Sequence, residues 1–147
     1  MQNFAPWFSR LVLLVTAFVL AMVGRKFILD PVGTAAAYDM TLGSALAITN
    51  MRASFGAFPL GGAVFALLCV GSAERRLTGL YFVALVIGTA LIVRAFGVVA
   101  DGTFSDSLRK LITEGTLLTL SVLAIFAELI ARSSFRESPG RSPTSGD

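Results

Sequence analysis

The stretch Asn50-Met-Arg-Ala-Ser-Phe-Gly-Ala-Phe-Pro-Leu-Gly-Gly62 opens the second of four apolar segments in a chain of 147 residues. It places an arginine, Arg52, near or inside an apolar run. Pro59 lacks a backbone N–H and should therefore kink the predicted helix. Ala57 and Gly61 stand four residues apart, a spacing that lets helix backbones approach closely in lipid. The stretch predicts a membrane-spanning helix with a smooth packing face, a kink and a charge.

The composition supports this interpretation for the whole chain. Hydrophobic residues make up 55% and charged residues 14% of the sequence, and the mean hydropathy is +0.79. Soluble domains average about a quarter charged residues. The formal net charge is only +3, and most Lys and Arg residues flank the apolar segments. This pattern favours membrane orientation and argues against nucleic-acid binding.

Four apolar segments have about the length that crosses a bilayer. We expect them at about 10–29, 50–71, 77–99 and 108–131. Asp30-Pro31 should end the first helix, and Ser44 is a plausible N-cap for the second. The first segment also resembles a signal peptide, but its cleavage site is poor and the apolar run continues to Leu29. The prediction is an all-α, up-down-up-down transmembrane bundle of four helices, forming one domain over 1–132.

Two further features refine this bundle. In the third segment Ala84 and Gly88 form a second pair of small residues four apart, which predicts another close helix contact. The polar residues 133–147 are rich in Ser, Pro and Gly. They bury too little apolar surface to fold, so we expect a disordered tail.

Three charged residues should lie at a similar depth. Arg94 is near the end of the third segment and Glu114 near the start of the fourth, each ~8 Å from the same face at 1.5 Å rise per residue. Arg52 enters from that face. A charge within a span costs about 2.5–3.5 kcal/mol, so these side chains should face the bundle interior. Glu128 lies near the opposite end and is expected to reach the interface beside Arg132 at i+4.

The candidate charged cluster of Arg52, Arg94 and Glu114 admits three interpretations. Glu114 can pair with one arginine, for which Arg94 is the better match in depth, and simply hold the bundle together. The remaining arginine, Arg52, can then bind an anion such as a lipid headgroup or a small organic acid. A proton or ion path is the third interpretation, and it requires a polar file that crosses the bundle.

Catalytic chemistry is poorly represented in the sequence. Histidine is absent and Cys69 is the single cysteine, in an apolar run where a small packing residue fits. No spacing predicts a metal site, a cofactor site or a catalytic constellation. We therefore expect a non-enzymatic protein without cofactors. The expected partners are membrane lipid and a small anion or anionic headgroup.

Several short motifs together resemble a known family. They are Leu29-Asp30-Pro31, Asn50-Met51-Arg52 followed by Gly56 and Gly61-Gly62, an arginine late in the third segment, and Glu114 early in the fourth. This pattern resembles the small bacterial integral-membrane family catalogued as domain of unknown function 4345, over about 10–131. The resemblance implies a four-helix membrane fold and no established activity.

The basic residues predict an orientation. Six arginines lie on the side of the termini, and four basic residues lie on the other: Arg10, Arg75, Arg76, Arg132, Arg136 and Arg141 against Arg25, Lys26, Arg109 and Lys110. The positive-inside rule predicts that both termini lie in the cytoplasm. The membrane is expected to be a bacterial inner membrane. The leading hypothesis is a multi-pass protein with an outer-leaflet charged cluster that is structural or binds an anion. A small-solute or ion transporter is the alternative.

Overall fold

The chain folds into helices arranged as a bundle. The computed structural model describes residues 4–136, which form six α-helices and one π-helical segment. In chain order they are α1 (Phe4–Leu29), α2 (Pro31–Ala36), α3 (Ala45–Met51), the π segment (Arg52–Ala57), α4 (Phe58–Val70), α5 (Ala73–Asp101) and α6 (Phe104–Arg136).

Four stretches are long and apolar enough to cross a membrane: Ala5–Leu29, Ala45–Val70, Ala73–Asp101 and Ser107–Ser133. The second runs without a break through α3, the π segment and α4. Many large apolar side chains point away from the bundle, including Phe58 and Leu85 at 78% and 71% exposure. Such a surface suits hydrocarbon, so the predicted all-α membrane bundle of four helices is confirmed.

Local signals explain where the helices begin and end. The Asp30 carboxylate accepts a hydrogen bond from the Gly33 backbone N–H (2.9 Å), and Pro31 occupies the first turn of α2. Ser44 Oγ accepts from the Ala47 N–H at 3.1 Å, which caps α3 as expected. Gly102 ends α5 with a φ of 68°, a conformation that glycine adopts without strain.

Several boundaries differ from those expected, among them the start of α6 at Phe104 instead of near residue 108. α1 begins at Phe4 instead of near residue 10. α5 begins at Ala73 instead of Leu77, because Ser72 supplies an extended residue before the helix and Glu74 suits the positive end of its dipole. α6 continues to Arg136, so residues 133–136 of the expected tail are helical, and the rest of that tail lies outside the described residues.

The core forms where all four spans meet. α1 packs against α4 and α6, and α5 packs against α4 and α6. Ala63 and Ala66 of α4 are buried against Leu13 and Leu80. The backbones of α1 and the π segment approach closely, since a Cβ on Gly24 would lie 2.7 Å from the Gly56 carbonyl oxygen. Glycine is required there because no side chain fits between the two backbones.

The predicted packing face of the second span is therefore wrong. Ala57 is exposed, and a Cβ on Gly61 would meet no atom within 4 Å. The buried face is instead the one that carries Gly56, because α1 lies on that side. Gly88 does lie between α5 and α6, but a Cβ there would meet Leu118 at an ordinary 3.7 Å, so the backbones are not unusually close.

Candidate functional site

Most charged side chains of interest lie at one end of the bundle. We call this the distal end: it contains the end of α1, all of α2, the start of α3 and the α5–α6 turn. The opposite end, where α1 begins and α6 ends, is the terminal end.

The structure brings Arg94 and Glu114 together near the distal end. Arg94 donates from Nε to one carboxylate oxygen of Glu114 at 2.8 Å and from Nη2 to the other at 2.6 Å. The pair is bidentate and partly buried. Such geometry uses both carboxylate oxygens, so Glu114 neutralises Arg94 and links α5 to α6. This is the pairing that the matching depths of the two residues suggested.

Within the described residues, Arg52 forms no hydrogen bond or ion pair with Arg94 or Glu114. Its Nε donates to the Ile28 backbone carbonyl at 3.2 Å, near the end of α1. Carbonyls of a last helical turn lack partners within the helix. The nearby Lys26 carbonyl accepts from the Asp30 backbone N–H at 2.9 Å and from Thr34 Oγ1 at 3.3 Å. Arg52 therefore caps α1 and joins it to the second span, and the predicted three-residue cluster reduces to one pair.

A second charge pair lies at the terminal end, between Glu128 and a partner that was not predicted, Arg76. Arg76 Nε donates to Glu128 at 2.9 Å, and both side chains are almost fully buried, at 7% and 4% exposure. Arg132 also approaches Glu128, at 3.9 Å, and donates to the Ala73 carbonyl. The expected i+4 approach of Arg132 to Glu128 is present, but the expected interface position of Glu128 is wrong. Glu128 is buried because Arg76, on the first turn of α5, faces the bundle and binds it.

An open basic pocket lies at the distal end beside these elements. It has a volume of about 620 Å³. Its lining comes from the end of α1, from α2 with the residues after it, and from one residue of α6: Arg25, Lys26, Leu29, Asp30, Gly33, Thr34, Ala37, Tyr38 and Lys110. Three cations and one carboxylate give this lining a formal surplus of two positive charges.

One cation of the basic pocket, Lys110, is held in place by an aromatic contact. The Lys110 ammonium lies 4.1 Å above the centre of the Tyr38 ring, a cation–π contact. Tyr38 itself stacks on Phe27 of α1, with 6.0 Å between ring centres. One carboxylate oxygen of Asp30 accepts the hydrogen bond that caps α2, so Asp30 only partly neutralises the cations of the pocket. The pocket therefore presents positive charge to an incoming group.

Sequence reasoning had treated Arg25, Lys26 and Lys110 only as flanking charges. The available signal was their position: Lys26 is three residues before the end of the first span, and Lys110 is three residues after the start of the fourth. Residues at equal depth on two spans come together only if the two helices are neighbours. The structure shows that α1 and α6 are in contact.

One buried face of α6 carries polar groups at three levels. Glu114, Ser121 and Glu128 recur every seven residues, which places them on the same side of a helix. Ser121 Oγ donates to the Leu117 carbonyl at 2.8 Å. On α1, the hydroxyls of Ser9 and Thr16 are buried without a hydrogen-bond partner.

Comparisons with known proteins identify a family. The family model described as a domain of unknown function, DUF4345, matches residues 1–125, which is most of the chain. The match begins earlier and ends slightly earlier than the resemblance noted over about 10–131, and it confirms that resemblance. Searches of curated proteins and of solved structures found no match. Within residues 4–136, no three Cys, Asp or Glu side chains group as a metal site would require.

Proposed function

The chain belongs to the DUF4345 family, and we propose that it is a non-enzymatic membrane protein that binds an anionic group in the basic pocket at its distal end. The observation that carries this proposal is the surplus of two positive charges in the pocket lining. Cations near the end of a membrane span lie where headgroup phosphates lie, and phosphate is well matched by Arg and Lys donors.

This proposal moves the anion site away from the arginines first considered. Arg94 already has a bidentate carboxylate partner, so its charge is neutralised within the protein. Arg52 is occupied by the Ile28 carbonyl and does not line the basic pocket. Lys26 and Lys110 line it without any carboxylate recorded as their partner in residues 4–136.

The test compares Lys110→Gln with Arg109→Gln on the purified full chain in a neutral detergent. The two residues are adjacent on α6, but only Lys110 lines the pocket. We expect Lys110→Gln to weaken binding of phosphatidylglycerol about tenfold or more, because a hydrogen bond to a charged group contributes about 1.5–3 kcal/mol. Arg109→Gln should stay within about twofold, as for an ordinary surface change. Equal effects of the two substitutions would contradict the proposal.

The orientation that the basic residues favour places the basic pocket in the outer leaflet, with both termini in the cytoplasm. In a Cys69→Ala background, Gly43→Cys and Gly71→Cys report on the two faces, since neither glycine has a neighbour within 4 Å of its Cβ position. An impermeant thiol reagent added to intact cells should label position 43 and spare position 71. The reverse pattern would place the basic pocket in the inner leaflet.

The alternative function, a transporter, is favoured by the three polar levels on the buried face of α6. Glu114 and Glu128 stand near opposite ends of that face with Ser121 between them. If protons move along this face, the internal pH of liposomes that contain the protein should change under a pH gradient. Ser121→Ala should slow that change. Liposomes with and without the protein that behave alike would remove this alternative.

A further inference from the structure

We infer that the ligand of the basic pocket is a whole anionic phospholipid, with one acyl chain held against α1; this inference rests on the proposed function. An apolar groove of about 330 Å³ adjoins the pocket. Lys26, Thr34 and Tyr38 line both, so the pocket and the groove are continuous. The rest of the groove is Phe18, Val19, Met22, Val23 and Phe27.

The groove runs in the direction that an acyl chain takes. Phe18 precedes Lys26 by eight residues, which is ~12 Å along a helix at 1.5 Å per residue. Lys26 itself is near the distal end of the first span, which extends from Ala5 to Leu29. The groove therefore starts at headgroup depth and descends into the hydrocarbon region. A lipid is the class of molecule whose charged group and apolar chain have this spacing and direction.

The two parts of the site contribute differently to binding. Lipid tails are as apolar as the groove, so moving a chain from bilayer to groove gains little hydrophobic free energy. The groove instead fixes the position of the chain, and hence holds the headgroup over Lys26. The charge of the basic pocket then selects an anionic headgroup over a zwitterionic one. A free anion such as glycerol phosphate would use the pocket alone.

The experiment separates the two parts by filling the groove. Met22→Trp places a large ring in the groove without changing a charge. Leu14→Trp is the matched control: it is on the same helix, is exposed to a similar degree (45% against 37%) and lines neither the pocket nor the groove. Native mass spectrometry of the full chain from a neutral detergent measures bound phosphatidylglycerol, phosphatidylcholine and glycerol 3-phosphate.

We expect Met22→Trp to reduce the affinity for phosphatidylglycerol about tenfold, a change of about 1.4 kcal/mol, while glycerol 3-phosphate binding and the Leu14→Trp variant stay unchanged. Equal phosphatidylglycerol binding by Met22→Trp and the wild type would overturn the lipid inference and leave the anion pocket standing. Loss of glycerol 3-phosphate and lipid binding in Lys110→Gln, with the groove intact, supports the pocket independently. Binding of phosphatidylcholine as tight as that of phosphatidylglycerol would overturn the charge selection.

Discussion

At the scale of single residues, the two charge pairs between α5 and α6 differ in how far they are removed from solvent. The side chains of Arg76 and Glu128 are 7% and 4% exposed, whereas those of Arg94 and Glu114 are 31% and 17% exposed. A buried charge that loses its partner costs about 3–5 kcal/mol, and partial exposure reduces this penalty. The terminal pair should therefore be the more sensitive one.

We expect Glu128→Gln to lower the melting temperature in detergent more than Glu114→Gln does. The double variant Arg76→Gln/Glu128→Gln should recover part of the loss, because no unpaired charge then remains in the core. Thermal unfolding of the three variants and the wild type in one detergent measures this. A larger loss for Glu114→Gln, or a double variant no more stable than Glu128→Gln, would contradict the ranking.

Residue-scale predictions from the sequence depended on knowing which helix each charge occupies. Arg94 and Glu114 could be paired because both were placed within spans at matching depth. Arg76 was placed just outside the third span, which was expected to begin at about residue 77, so its pairing with Glu128, 52 residues away, was not predicted. The partner of Arg52 is a backbone carbonyl of Ile28, and sequence patterns do not distinguish one carbonyl from another.

At the scale of elements, the contact between α1 and the π segment depends on two glycines. A Cβ on Gly24 would lie 2.7 Å from the Gly56 carbonyl oxygen and 3.0 Å from the Leu60 backbone nitrogen, and neither backbone atom can rotate away. Gly61, one turn further along, has no such neighbour. A comparison of Gly24 with Gly61 therefore separates a packing effect from the general effect of adding a methyl group to a helix.

Gly24→Ala should destabilise the bundle by about 1–3 kcal/mol, the usual cost of overpacking. Gly61→Ala should leave stability unchanged or raise it slightly, because alanine is a better helix former than glycine by about 0.5–1 kcal/mol. Melting curves of both variants in the same detergent compare them. If Gly61→Ala were the more damaging, α4 would have to pack through its outward face.

Elements were predicted well wherever a local signal marks them. Ser44 was identified from the sequence as a helix cap, and its side chain caps α3 in the structure. Pro59 was expected to distort the second span, and a π-helical segment, Arg52–Ala57, lies directly before the helical turn that contains it. Which face of the second span packs inward depends on where α1 lies, so the spacing of small residues alone chose the wrong face.

At the scale of the whole molecule, hydropathy was sufficient to predict the four-span fold because each span is marked by its own apolar length. The basic pocket could not be predicted in the same way. It exists only where α1, α2 and one residue of α6 meet, and that residue, Lys110, is more than 70 residues from the rest of the lining. The sequence supplied its cations, but only the packing of α1 against α6 assembles them.

The positions of the two charge pairs also have a consequence for the membrane around the protein. Arg76 and Arg94 are ~27 Å apart along α5, and Glu114 and Glu128 ~21 Å apart along α6, at 1.5 Å per residue. A typical hydrocarbon core is about 30 Å thick. Arg94 and Glu114 are still partly exposed, so a bilayer that is thinner beside α5 and α6 would bring this pair closer to the interface. Hydrophobic mismatch costs fractions of a kcal/mol per Å, and we expect the protein to prefer such a bilayer. In liposomes of phosphatidylcholines with increasing chain length, thermal stability should thus peak at shorter chains than those that form a core of about 30 Å. A peak at longer chains would mean that the two pairs do not set the thickness that the protein prefers.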